Sequence, residues 1–395
     1  MSRRRFIASS SEYEPPITSE LEEDLDAQLR LLHLLDDPSP TPLGDLSKPA
    51  AAASEIDLGR MLSARSVVPT TCSFAERQSK ANEEARVAGT FRKIGAGACG
   101  AVFAADGQSL AFKIGKTGTG DDEAALWTDF NMHHRISDAL RESKADIEIP
   151  TCHFYVNHDD DEWWGKHQDL VAAACDTCHV PARVLATERI LPLPAPVQRE
   201  LIQTFCKENL RASAAADAAN KDCLVRVYLG SMRGRITSFF SLRNFKLHLN
   251  QMIKIEMDYE ALAVSIGQAL ALIHWKARAD ARDVEFALGR SLTRIGTNEG
   301  SAIRLFVLDF NQVRDITMDD AGVKLAVEAF FLNDPYYPRP REGSRLQQEL
   351  WNSFVRSYLS TADAVLNTHK EYRVLPRKFI RGVIAHTLGK NPAHG

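Results

Sequence analysis

Between Phe91 and Ile114 the chain reads FRKIGAGACGAVFAADGQSLAFKI, and Gly95, Gly97 and Gly100 in that stretch narrow the folds open to it. Glycines at this spacing let a backbone approach phosphate groups closely, where any Cβ would collide. The same G-x-G-x-x-G pattern also opens dinucleotide-binding folds, but there the glycine turn leads into a helix. Here the residues after Gly100 are strand-forming, and Asp106-Gly107 turns them back into another strand. The pattern therefore predicts a glycine hairpin covering a cleft. Lys113 lies thirteen residues after Gly100, between Phe112 and Ile114. On an apolar strand beneath the hairpin it would face the α- and β-phosphates of a nucleotide, and it is costly to bury unpaired. Glu123, at the start of the next helical stretch, is its expected partner, with Asp121 and Asp122 close by in sequence.

Three further segments follow in an order that fits such a cleft. CLVRVYLG reads as a buried strand and hinge, so that backbone groups around Tyr228, Leu229 and Gly230 would meet an adenine edge. In ALIHWKARADARDVEFALG, Asp280 precedes Glu285 by five residues. A phosphotransfer loop needs that geometry: one carboxylate takes or orients a hydroxyl proton, and a second oxygen ligand holds magnesium. Arg282 would stabilise the transferred phosphate, and Asp283 rivals Asp280 as the base. Asp309 ends the apolar strand of RLFVLDF, an expensive position unless it binds a metal or a cation. Carboxylates converging there would repel by roughly 4 kcal/mol per close pair at an effective dielectric near 20. Either magnesium sits among Asp309, Glu285 and the loop aspartate, or one of them is protonated.

The expected architecture is α+β and two-lobed. Residues 1–85 are rich in Ser, Pro, Glu and Ala and are expected to be mostly disordered, with a short amphipathic helix near 19–36 carrying Leu21, Leu25, Leu29, Leu32 and Leu35. Residues 86–230 form a small antiparallel β-rich lobe with insertions, and residues 231–395 a larger helical lobe. The C-terminal LPRKFIRGVIAHTLGK reads as a basic amphipathic helix packed on the core.

The net charge of −4 provides no bulk attraction for nucleic acid or an anionic membrane, so either partner would need a local basic patch; neither is expected. No apolar run is long enough for a membrane span or a signal peptide, which fits a cytoplasmic or nuclear protein. The seven cysteines are scattered and expected to be reduced. Cys175-Asp-Thr-Cys178-His179 has ligand spacing, but zinc needs four ligands and no second such pair exists, so structural zinc is not expected.

Taken together, GAGACGAVF, AFK and DFN resemble the signature elements of protein kinases. The stretches ATERILPLP, CLVRVYLG, FFSLRNFKLHLNQM, LDFNQVR and FFLNDPYYPRP are similar to a fungal family of uncharacterised kinase-like proteins that carry the label "zinc finger protein". The resemblance spans most of residues 90–360 and implies a kinase-type fold binding ATP and Mg2+. Departures are several. Arg278 and Ala279 stand where histidine and arginine precede the catalytic aspartate, Glu285 replaces a magnesium-binding asparagine, and Asn311 replaces the glycine after Asp-Phe. The short segment after Asp309 leaves little platform for a peptide. The expectation is thus a Mg-ATP phosphotransferase acting on a small-molecule or atypical acceptor. The alternative is a pseudokinase scaffold, with protein partners recruited through the N-terminal tail.

Overall fold

A computed structural model describes residues 53–63, 67–68, 90–97, 99–116, 120–141, 143, 145–295, 298–340 and 344–389. The segment near 19–36 and most of the tail lie outside these residues. Within the tail, Leu58 of helix α1 (Ala53–Met61) and Leu62 just after it are completely buried. A Cβ on its Gly59 would come within 1.8 Å of the Ile255 carbonyl oxygen, so the helix backbone rests directly on the larger lobe. The two-residue strand β1 (Val67–Val68) joins a sheet described below.

The fold is α+β with two lobes, as expected. The small lobe is an antiparallel sheet of β2 (Phe91–Ala96), β3 (Gly100–Ala105), β4 (Leu110–Gly115), β5 (Cys152–Val156) and β6 (Val184–Glu188), in the order β2-β3-β4-β6-β5. Helix α2 (Gly120–Arg141) follows β4. Phe103, Ile114, Val184 and Ala186 of the sheet share a core with Trp164, Leu170 and Cys178 from the insertion carrying α3 (Asp161–Lys166) and α4 (Gln168–Ala174). The sheet register shifts between Lys93 and Gly95, and Gly97 N–H closes the hairpin on Gly100 O at 2.9 Å. A side chain at Gly100 would meet the Ile114 carbonyl oxygen at 2.8 Å, which is why the hairpin needs glycine there.

The chain leaves the small lobe at Arg189–Leu193, where Arg290 N–H donates to Leu191 O at 2.8 Å and Leu193 N–H to Cys223 O at 2.9 Å. Helix α5 (Ala195–Phe205) then starts the larger lobe. The hinge is therefore ATERILPLP and not CLVRVYLG. Both segments read as apolar strands, but Pro192 and Pro194 hold the first one extended as it exits. CLVRVYLG instead supplies β7 (Val225–Tyr228) to a second sheet, of order β1-β10-β9-β7-β8. That sheet contains β8 (Phe245–His248), parallel to β7, and the long hairpin of β9 (Glu285–Ile295) and β10 (Asn298–Leu308). The larger lobe is thus less purely helical than its sequence suggests. Helix α6 (Leu249–Lys254) leads to α7 (Tyr259–Ala271), which packs on α9 (Arg345–Val365). A Cβ on Gly267 would lie 2.7 Å from the Phe354 carbonyl oxygen, so these backbones are close. Helix α8 (Asp320–Leu332) and the C-terminal α10 (Val374–Gly389) complete the lobe, α10 burying Phe379, Ile380, Val383 and Ile384. No helix among the described residues is long and apolar enough to cross a membrane.

Candidate functional site: the interlobe cleft

Between the two sheets lies a cleft of about 220 Å³, open to solvent on one side. The glycine hairpin roofs it with Gly95, Gly97, Gly100 and Val102, and the hinge residues Thr187, Glu188 and Ile190 line one wall. Ala111 and Leu185 from the small lobe and Leu308 from β10 give the cleft apolar lining. At the other end Lys113, Asp129, Glu285 and Asp309 bring charge to the lining.

Lys113 organises that end. Its ammonium donates to Asp129 Oδ2 at 2.6 Å and to Asp309 Oδ1 at 2.8 Å. Burial pulls its proton affinity down, but the two carboxylates outweigh burial and hold it well above the usual lysine range. Asp129 is 3% exposed, and its other oxygen accepts from the Phe310 backbone N–H at 3.1 Å. One helical carboxylate thus fixes both the strand lysine and the backbone after Asp309. The carboxylates that meet Lys113 among the described residues are Asp129 and Asp309; Glu123, the expected partner, belongs to the first turn of α2 and its side chain lies outside the described residues. The signal for Asp129 was present: Leu126, Asp129, His133, Ile136 and Leu140 recur at helical spacing, and a carboxylate inside such a stripe must find a cation.

The loop before β9 is held in an unusual shape. Arg278, Ala281 and Asp283 have φ of 53°, 58° and 60°, and Asp309 has 64°. Left-handed backbone at non-glycine residues costs about 1–3 kcal/mol each and persists only where surroundings impose it. Asn333, in the NDPYYPRP stretch after α8, supplies part of that restraint. Its Oδ1 accepts from Asp283 N–H at 2.7 Å and its Nδ2 donates to Ala281 O at 2.8 Å. Asp280 supplies the rest: it accepts from the backbone N–H groups of Arg282 and Arg314 at 3.0 and 2.9 Å, and from Arg314 Nε at 2.6 Å. A π-helical turn over Leu272–Lys276 feeds the loop, with Tyr358 O–H placed 2.8 Å from Trp275 Nε1 and 3.0 Å from His274 Nδ1.

These contacts separate the loop carboxylates. Asp280 is 1% exposed and does not line the cleft. Asp283 is also outside the lining, but it is only half-buried, accepts from Gln312 Nε2 at 2.5 Å, and is pushed up by burial and then by Asp309 and Asp334. Arg282 reaches Gln312 Oε1 at 3.5 Å, outside the cleft lining. Of the residues singled out from sequence, Gly95, Gly97, Gly100, Lys113, Glu285 and Asp309 meet in the cleft. Tyr228 and Leu229 do not: of β7 only Arg226 reaches the lining, and the C-terminal end of the strand is buried in the larger lobe. Leu229 is 1% exposed, and Tyr228 donates to Asp334 with its ring 5.2 Å from that of Tyr336.

Glu285 contacts Arg226 at 2.5 Å. Burial nevertheless pushes its carboxyl up to about 7, with Arg226 opposing and Asp309 and Asp283 reinforcing. A carboxyl raised from its usual 4.5 stabilises the fold while protonated, fully below about 4.5, and that contribution is lost as pH rises through about 7. Urea unfolding across that range is expected to show stability falling toward neutrality, with a shallower slope in Glu285→Gln. An unchanged slope in the variant would remove Glu285 as the group responsible.

Three carboxylates, Asp129, Glu285 and Asp309, line the charged end of the cleft, and Asp129 is taken up by Lys113 and the Phe310 N–H. Among the described residues no group of three or more His, Cys, Asp or Glu is arranged to hold a metal ion. Cys175 is exposed while Cys178 is buried against Ile114 O at 3.8 Å, so the CxxC pair does not face a common centre.

The fold and cleft describe a two-lobed α+β protein with a lysine–carboxylate centre under a glycine hairpin. A family model described as "Zinc finger protein" matches residues 305–370. The matched segment contains one histidine, His369, and no cysteine, so it offers no zinc-finger ligand set of its own. No curated protein and no solved structure matches the chain.

Proposed function

We propose that the protein is a Mg-ATP-binding, kinase-like phosphotransferase whose acceptor is a small molecule or an atypical group. The observation that carries this reading is the position of Lys113, held between Asp129 and Asp309 beneath the glycine hairpin. The apolar lining of Ala111, Leu185 and Leu308 suits an adenine ring, and the open space beside Gly97, where a Cβ would meet nothing within 4 Å, leaves the hairpin free to settle on phosphates. Magnesium characteristically takes one or two protein carboxylates plus substrate phosphates, so Asp309 and Glu285 suffice as its protein ligands. The nucleotide would supply the phosphoryl group and the cation the charge neutralisation. Lys113 would orient the phosphates, and Asp283, with Asp280 withdrawn, would take the acceptor proton. The second reading, nucleotide binding without transfer, draws support from the same withdrawal of Asp280 and from Arg226 against Glu285.

Thermal unfolding with and without Mg-ATP tests the reading. At one hundred times the dissociation constant a ligand adds about 2.7 kcal/mol, which should raise the midpoint by about 5 °C. The rise is expected to need magnesium and to vanish in Asp309→Asn. Absence of any rise in the cooperatively unfolding wild type would refute nucleotide binding. A rise without phosphoryl turnover on any acceptor or water would favour the scaffold.

A further inference from the structure

Between Asp222 and Glu256 the chain has no acidic residue, while Arg226, Arg233, Arg235, Arg243, Lys246 and Lys254 fall within that span. The loop joining β7 to β8 lies at its centre and is pinned at both ends. Gly234 N–H donates to Asn250 Oδ1 at 2.9 Å, and Asn250 Nδ2 donates to Gly234 O at 2.9 Å. A Cβ at Gly234 would fall 2.5 Å from the Gln251 side chain, so this neck sits tight on α6. At the other end Leu242 is buried, and its N–H donates to Asn220 Oδ1 at 2.7 Å.

The residues between and beside these pins face outward. Phe239 is 81% exposed, Ile236 51% and Met232 42%. Arg233 and Arg235, at the first neck, are exposed too, and neither guanidinium meets a carboxylate among the described residues. Holding two large apolar side chains in water on an anchored loop is unfavourable unless something covers them. We infer that this loop is a membrane-docking element, with Ile236 and Phe239 entering the headgroup–acyl boundary of an anionic bilayer and Arg233 and Arg235 meeting the lipid phosphates and carboxylates.

Apolar side chains at the tip and cations at the neck reproduce the depth order of acyl chain and charged headgroup. That order, with negative charge, is what a lipid surface offers along the whole of its plane. With a net charge of −4, electrostatic attraction to such a surface needs a local patch of this kind. This inference does not depend on the nucleotide reading.

Co-sedimentation of the full chain with vesicles of phosphatidylcholine and phosphatidylserine, against phosphatidylcholine alone, tests it. Binding is expected only to the serine-lipid vesicles and to weaken with salt. The double variant Arg233→Glu/Arg235→Glu should lose roughly tenfold or more in affinity. Ile236→Ser/Phe239→Ser should lose a similar factor while what binding remains still responds to salt. Both pairs are exposed, so unfolding midpoints should stay at the wild-type value. No sedimentation with serine-lipid vesicles, or binding that both variants retain, overturns the inference; cross-linking of an acidic protein at Phe239 would assign the loop to protein docking instead.

Discussion

Asp129→Ala is expected to destabilise the protein by about 3–5 kcal/mol, because it removes one half of a buried ion pair and strands the other. Lys113 Nζ would keep only Asp309, and the Phe310 N–H would lose its acceptor. Chemical unfolding of the variant measures the loss. The double variant Lys113→Met/Asp129→Leu should recover part of it, since replacing a buried pair with apolar groups of similar volume is often near neutral. A single variant of wild-type stability would mean that Asp129 does not hold the cleft together. If the nucleotide reading is right, the double variant should fold and yet show no shift with Mg-ATP. That outcome separates the structural role of the pair from its ligand role.

The two loop aspartates should respond to substitution in opposite ways. Asp280→Ala leaves two backbone N–H groups and the Arg314 guanidinium without their acceptor in a buried setting, a loss of about 3–5 kcal/mol. Asp283→Asn leaves that network intact and should cost about 1 kcal/mol or less. Should a phosphoryl acceptor be found, Asp283→Asn is expected to abolish transfer while leaving the Mg-ATP shift in place. Transfer that survives Asp283→Asn but fails in a folded Asp280→Asn would return the base role to Asp280. Asn333 ties the same loop from below, so its replacement by leucine belongs to the first class of effect.

Much of the small lobe was legible in the sequence. Strand alternation, a turn dipeptide and glycines whose Cβ would clash are local properties, and β2, β3 and β4 formed where they were expected. Asp309 at the end of an apolar strand was legible for the same reason. The hinge was not, because ATERILPLP and CLVRVYLG carry equivalent apolar patterns and only sheet order distinguishes an exit strand from an interior one. Sequence proximity favoured the carboxylates at the start of α2, whereas Asp129 meets the lysine from the buried stripe of that helix that also carries Leu126, His133 and Ile136. Which of Asp280 and Asp283 is buried depends on Arg314 and Asn333, residues thirty or more positions away.

The sequence by itself determined the strands of the small lobe, the glycine hairpin over Lys113, and the concentration of carboxylates at Glu285 and Asp309. Each rests on steric or solvation costs that neighbours in the chain already impose. Tertiary structure decided which carboxylate pairs with Lys113, which loop aspartate is buried, where the lobes join, and that Ile236 and Phe239 are left facing water. Those outcomes turn on long-range pairing, where several local candidates have similar intrinsic cost and only the packed arrangement satisfies one of them.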